Sequence, residues 1–383
     1  MAVGPDSATL TWTTPEPADS VVEWSTGEPR GTLRVAAEET FHTVRLTGLR
    51  ADTLYRYRVT SGRAVSAMHS FRTAPLEFRP FTFAFYGPNS DLTRHDPAFE
   101  CHVGGEALPP AASRPALSTI EEAWRSFLYL NVETFLVDAT SLRPGDAQWR
   151  WLQTQLSQSQ ADWQVVLCSP SPLRDTVRHT LLPLLLDGGV DLVLSDGSIS
   201  AAVGQGAKPE EGAVTLVTAP MDKGCILVSA DRKTLTLRTM AADGSVSSER
   251  KLTKEDGKLV VPGAVPAAWL EVSEAFRPAD GFDMGAVGKN LVTKSFTVTV
   301  PNPYSTAIAG ELRWDVHPNT SWNLDPPLLK IAVPPRSQRA FTFSASIVAP
   351  DIEPAPTFTF TSGGYSAKAT ASPFRFTVAP AAR

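Results

Sequence analysis

Over its first 75 residues the chain alternates apolar and polar side chains in short runs. Positions 8–12, 21–25, 43–46 and 54–59 each set large residues on one face, and Pro, Gly and Asp punctuate the intervals. Alternation with a period of two, broken by turn formers, predicts strands with one buried face, and a series of them predicts a β-sandwich. The set is one strand short because Met1 lies almost against the first strand, so either preceding residues were removed or an edge strand is missing.

From Phe78 to about residue 258 the pattern changes. The runs 81–86, 132–137, 164–167 and 190–194 are apolar and of strand length. Between them, 147–157 repeats Trp151, Leu152 and Leu156 at helical spacing, and 177–187 is a second helical stretch in spite of Pro183. Apolar strands alternating with helices predict an α/β layered domain. The runs 214–217, 226–228 and 235–238 follow at hairpin spacing and predict a second, antiparallel sheet.

Residues 257–266, rich in Gly, Pro and Val, are expected to form a linker. Beyond it, 295–300, 310–314, 329–333, 341–344, 357–360 and 374–377 predict a strand-only block, a second β-sandwich. Asn302-Pro303-Tyr304, Asp325-Pro326-Pro327 and Pro334-Pro335-Arg336-Ser337 supply turns, because Pro fixes φ and has no N–H to donate into a sheet. Trp314, Trp322 and Tyr304 are expected in the core of that block, with an aromatic binding platform as the alternative. The expected domains are 1–76, 77–258 and 259–383.

Composition narrows the class. Thirty-two Pro against five Met exclude an all-α fold, and 383 residues with 42% hydrophobic content exceed one ordinary core. A net charge of −5 without a basic block excludes nucleic acid as a partner bound through a basic face. No run of eighteen apolar residues occurs, so no transmembrane segment is expected. Three Cys allow at most one disulfide. Cys168 and Cys225 belong to buried-looking strands, whereas Cys101 is expected in a loop and is the most reactive of the three.

Leu49, Asp52 and Tyr55-x-Tyr57 resemble the fibronectin type III pattern, which implies a Tyr tying down the preceding corner. The chain from about Val3 to Leu252 resembles the purple acid phosphatase branch of the calcineurin-like metallophosphoesterases. The resemblance is carried by Pro5-Asp6-Ser7-Ala8-Thr9-Leu10-Thr11-Trp12, by Phe135-Leu136-Val137-Asp138 and by Gln148-Trp149-Arg150-Trp151-Leu152. Leu181-Leu182-Pro183-Leu184-Leu185 with Gly189-Val190-Asp191-Leu192-Val193-Leu194-Ser195 completes it. The last block resembles the immunoglobulin-like accessory modules of bacterial extracytoplasmic proteins.

The phosphatase resemblance implies two cations held by Asp, Asn and His at the ends of strands. The ligand words are altered. Where Gly-Asp is implied the chain has Tyr86-Gly87-Pro88-Asn89, and where Gly-Asp and Gly-Asn-His are implied only Cys101-His102-Val103-Gly104-Gly105-Glu106 remains. Cys168-Ser169-Pro170-Ser171 stands for a His-bearing turn, and Asp196-Gly197-Ser198-Ile199 for Gly-His-x-His. Pro88, Pro170, Ser171, Gly197 and Ile199 thus replace ligands, and Pro, Gly and Ile offer no side-chain lone pair. The expectation is a pseudoenzyme, with no catalytic residue, no metal and no cofactor.

Asp91, His95 and His102 follow the first strand and are the residual candidates for a relocated site, with a solvated loop as the plainer reading. Asp138 ends its strand and is expected to hydrogen-bond at its own turn. Ser169 and Ser171 with His179 and Asp175 have the residue types of a nucleophilic arrangement but lack the strained elbow. The expected function is a non-catalytic structural or protein-interaction protein with one or more protein partners, as a subunit of a larger assembly. The alternatives are a module binding a phosphate ester, polyanion or sugar, and a metal-dependent phosphomonoester hydrolase with unconventional ligands. The resemblance implies an extracytoplasmic location.

Overall fold

In the computed structural model the described residues are 2–27, 31–87, 97–103, 116–118, 124–197, 200–219, 224–288, 290–316, 322–347 and 356–378. They form two units, residues 1–201 with 214–261, and residues 202–213 with 262–383.

The first unit is built on two sheets. One runs from Val214–Thr218 through Leu192–Ser195, Trp163–Ser169, Val132–Asp138, Arg125–Tyr129, Ala2–Val3 and Ser7–Ser25 to Leu54–Ser61 and Ala64–Val65. Gly31–Thr47 pairs with Ser7–Ser25, and His69–Arg72 with Leu54–Ser61. The first four strands are parallel and almost wholly buried, as strands covered on both faces must be. Helices α1 (Ala147–Gln158) and α2 (Asp175–Asp187) lie between them in sequence. Asp146 caps α1 by accepting from the Trp149 N–H at 2.6 Å, a bond worth about 1 kcal/mol. The buried face of α1 carries Leu152 and Leu156, and Trp151 meets Phe135 of the sheet edge-on at 6.4 Å. Pro183 leaves the His179 carbonyl without its helical donor. The helix continues because Leu181, Leu182, Leu184 and Leu185 are buried around it.

The second sheet runs Lys258–Val260, Val246–Glu255, Thr234–Met240, Cys225–Ala230, Phe81–Tyr86, Glu100–His102 and Ala116–Ser118. It meets the first through an aromatic layer in which Phe81 stands edge-on to Tyr129 at 5.0 Å and Phe99 edge-on to Phe127 at 5.0 Å. Val214–Thr218 does not join this antiparallel sheet, contrary to the hairpin spacing; it extends the parallel one beside Leu192–Ser195. The reason lies in burial: positions 214–217 are buried in succession, whereas Cys225–Ala230 alternates. Phe81–Tyr86 is likewise a strand of the second sheet, between Cys225–Ala230 and Glu100–His102. Cys101 is buried in that sheet and not in a loop, and burial together with Glu100 pushes its thiol well above the ordinary range.

The two strands expected over 8–12 and 21–25 are one, Ser7–Ser25. Its register against Gly31–Thr47 shifts between Thr13 and Ala18 and again between Ala18 and Ser20. Pro15 and Pro17 fall in that stretch, and residues without an N–H interrupt a ladder by a bulge without ending the strand. Tyr55 accepts a hydrogen bond from the Arg50 N–H at 2.8 Å, closing the corner that Leu49 begins. The described residues contain no helix long and apolar enough to cross a membrane.

The second unit contains a three-stranded sheet, Val292–Asn302, Ser337–Ile347 and Asn323–Asp325, and a four-stranded one, Leu328–Val333, Ile308–Asp315, Thr357–Ser362 and Tyr365–Thr370. Both contribute to one core, with Val300, Phe343, Leu312, Trp314, Phe358 and Phe360 buried together. Trp314, Trp322 and Tyr304 are all buried, which removes the aromatic platform. The block is not strand-only: helix α3 (Ala267–Ala275) adds Val272, and Phe276 follows one turn later, both at 0% exposure. The linker expected over 257–266 contains two short strands, Lys258–Val260 and Val265–Pro266. Residues 202–213 belong to this unit: Val203 pairs with Val265, and Gly363 lies so close to Ala207 that a Cβ there would stand 2.6 Å from its carbonyl oxygen.

Candidate functional site

The carboxyl ends of parallel strands are where an open α/β sheet presents loops and ligand-binding groups. Here the register sets Asp138 opposite Ser169, Cys168 opposite Ser195, and Ser195 opposite Thr218. Ser169 donates to Asp196 Oδ2 at 3.0 Å, while Asp196 Oδ1 and the Ser195 hydroxyl are buried with no partner among the described residues. Gly197 adopts φ +123°, and a Cβ there would stand 3.7 Å from both Ser171 and Thr218. Ser171 is buried, and its hydroxyl accepts from the Leu173 N–H at 3.4 Å.

Asp138 is committed to its own turn. Its Oδ1 accepts from the Thr140 N–H at 2.9 Å and the Thr140 hydroxyl at 2.6 Å, and Gln148 clamps its backbone from both sides. Burial opposes its ionisation, but the bonds from Ser141 and Thr140 outweigh burial and hold the carboxyl below its ordinary value. Ser169, Ser171, His179 and Asp175 are not brought together as a nucleophilic set: Ser169 bonds Asp196, and Asp175 pairs with Arg178 at 3.3 Å. Burial, with Asp196 adding to it, raises the Cys168 thiol far above the reactive range.

A pair of catalytic cations requires several carboxylates and imidazoles converging on one point. Within either unit, no three described Asp, Glu, His or Cys side chains bring ligand atoms within 4.8 Å of one another. At the strand ends the described donors are two carboxylates, Asp196 and the turn-bound Asp138, and the hydroxyls of Ser169, Ser171, Ser195 and Thr218, with no imidazole among them, a set that does not fit two cations. Pro170, Ser171 and Gly197 stand among them. Pro88, Asp91, His95 and Ile199 lie outside the described residues.

His102 ends Glu100–His102, buried at 3% exposure, with its ring 5.1 Å from that of Tyr86. The Tyr86 hydroxyl donates to Glu100 Oε2 at 2.9 Å, and burial followed by the Glu100 charge drives its ionisation out of reach. Burial also holds the His102 imidazole below its ordinary 6.5. In the window between 6.5 and that lowered value the unfolded chain binds the extra proton, so stability falls as pH drops through it. His102→Phe is expected to flatten this dependence, read from urea unfolding on either side of the window. An unchanged slope would assign the dependence to other groups.

Sequence reasoning did not single out the Ser169–Asp196 pair. Its signal is that Ser169 directly follows the apolar run ending at Cys168 and Asp196 follows the run 192–194 by one residue, which places the two at the ends of neighbouring parallel strands.

The chain is β-rich and multidomain, and one part of it matches a known family. Residues 2–73 match the family described as Purple acid Phosphatase, N-terminal domain, so the N-terminal β-sandwich is of that kind. No match is found among curated proteins. Among solved structures the chain is similar to one titled "Structure of PhoD", at 13% identity and a TM-score of 0.42 over 69% of this chain and 92% of that one. It is also similar to a tandem from titin, at 9% identity and a TM-score of 0.16 over 99% and 95% of the two chains. A third similarity is to a glycosyl hydrolase family 2 member from Bacteroides cellulosilyticus, at 8% identity and a TM-score of 0.21 over 97% and 77%.

Proposed function

We propose that this chain is a non-catalytic structural or protein-interaction protein, built on a metallophosphoesterase scaffold that has lost its binuclear metal site. The observation that carries this reading is the donor set at the ends of the four parallel strands: two carboxylates, of which Asp138 is bound through Oδ1 to its own turn, four hydroxyls, and no imidazole among the described residues. The reading comprises a fibronectin type III-like domain over 1–76, an α/β metallophosphoesterase-like layer over 77–258 and an immunoglobulin-like sandwich over 259–383. Parallel strands with intervening helices support the second assignment, and two sheets closing on one aromatic core support the third. The partner is a protein, and the location is extracytoplasmic.

The test is metal content after incubation with iron, zinc and manganese and thorough desalting, together with turnover of p-nitrophenyl phosphate. Substoichiometric metal and no turnover are expected. About two tightly held metals per chain with turnover, as the two-metal mechanism requires, would overturn the reading in favour of a phosphomonoester hydrolase with unconventional ligands.

A further inference from the structure

The N-terminal sandwich carries a groove of about 650 Å³ on the sheet formed by Ser7–Ser25 and Leu54–Ser61. Antiparallel register sets Glu23 opposite Arg58 and Ser25 opposite Arg56, and directly opposed residues project from the same face. Leu54, two residues from Arg56, shares that face, and Met68, 48% exposed, lines the same groove. The wall therefore combines an apolar patch, hydroxyls and charged groups, a mixture typical of a small-molecule site.

The charges are not balanced. Arg58 is neutralised by Glu23, its Nε donating to Oε2 at 3.0 Å. Arg56 meets no carboxylate among the described residues. At the same end Arg50 donates to the Thr26 hydroxyl at 3.0 Å and likewise has no carboxylate. The Arg56 guanidinium lines this end and that of Arg50 stands beside it at Thr26, neither with a counter-charge among the described residues, and a guanidinium presents a planar fork suited to a carboxylate or sulfate.

We propose that this groove binds an anionic saccharide. Arg50 and Arg56 take its acidic group, Ser25 and Glu23 exchange hydrogen bonds with its hydroxyls, and Leu54 and Met68 receive the C–H face of a ring. Because the groove lies within residues 2–73, the proposal stands apart from the metal question at the central strand ends.

The test is titration calorimetry of the full chain with oligogalacturonate, dextran sulfate, a neutral malto-oligosaccharide and polyglutamate. Oligogalacturonate or dextran sulfate is expected to bind, the stronger of the two identifying the acidic group. Arg56→Gln and Arg50→Gln are each expected to weaken binding about tenfold, the effect of removing a charged hydrogen bond. Arg34→Gln removes an exposed cation of the same sandwich, paired to Asp19 at 2.8 Å, and is expected to change nothing. Both groove arginines are exposed, and Tyr55 bonds the Arg50 backbone and not its side chain, so the variants should fold; thermal unfolding checks this. Absence of binding by both anionic sugars overturns the proposal. So does binding indifferent to both substitutions, equal binding of the neutral sugar, or polyglutamate binding as tightly, which would mark an acidic-peptide surface instead.

Discussion

Replacing Lys254 by Met is expected to destabilise the first unit by about 3–5 kcal/mol, the cost of leaving a buried charge without its partner. The Lys254 ammonium lies 2.8 Å from Asp191 Oδ2, with the two side chains only 14% and 4% exposed. It also donates to the Asp162 carbonyl at 2.6 Å and stands 4.9 Å from the Trp163 ring centroid. Asp191 accepts in addition from the Gln164 N–H at 2.9 Å. The pair joins the start of a parallel strand to the antiparallel sheet, beside the bond from Trp163 Nε1 to the Asp231 carbonyl at 2.6 Å.

Burial pushes the Asp191 carboxyl up, while Lys254 and the Gln164 N–H pull against it. Without Lys254 the upward push is less opposed, so the variant's carboxyl titrates higher still. The sign follows from linkage: a raised acid makes the folded state more stable on the acid side, and that stability is lost as pH rises through its folded value. The deficit of Lys254→Met should therefore shrink on acidification. Adding Asp191→Asn removes the stranded charge while keeping an acceptor for Gln164, and is expected to recover most of the loss in urea unfolding at neutral pH. A double variant no more stable than Lys254→Met would show that the loss comes from the lysine stem packed on Trp163.

Phe343→Ala is expected to cost the second unit a similar amount, about 3–5 kcal/mol, through lost transfer energy and the cavity left behind. Phe343 is 1% exposed, and its ring contacts those of Trp314 at 4.9 Å, Phe282 at 5.4 Å, Phe296 at 5.7 Å and Phe276 at 6.0 Å. These rings come from strands of both sheets, from the separate strand pair Phe282–Val287 with Phe374–Val378, and from the end of α3, so no single neighbour can move to fill the space. Phe343→Leu keeps apolar volume and should lose clearly less. Thermal unfolding compares the two, and equal losses would mean that the site depends on ring geometry more than on filled volume.

Local features were legible where local physics decides them. The alternation at 8–12 and the turn at Leu49 to Tyr55 identify an N-terminal sandwich, because a two-residue period and a corner tyrosine act within a few residues. Helices α1 and α2 were legible from leucine spacing. The altered strand-end words, from Cys168 to Ser171 and at Asp196-Gly197, could be read directly because a metal site depends on residue type as much as on fold. Helix α3 was missed because Trp269, Val272 and Phe276 sit beside proline-rich text that reads as linker.

What the tertiary structure alone decided is non-local. Ala2–Val3 is two residues long, too short to show a pattern, yet it pairs with Ala8 and Thr9 on one side and Leu128 and Tyr129 on the other. Val214–Thr218 and Cys225–Ala230 look alike as sequence, but they enter different sheets because one edge is parallel and doubly covered and the other is not. Arg50 and Arg56 become one end of a groove only through the bond to Thr26 and the register with Ser25. The sequence by itself determined most of the strands, helices α1 and α2, and which residue types stand at the described strand ends. Pairing, sheet membership and the gathering of distant charges were decided by the fold, since backbone hydrogen bonds and buried area are shared between residues far apart in the chain.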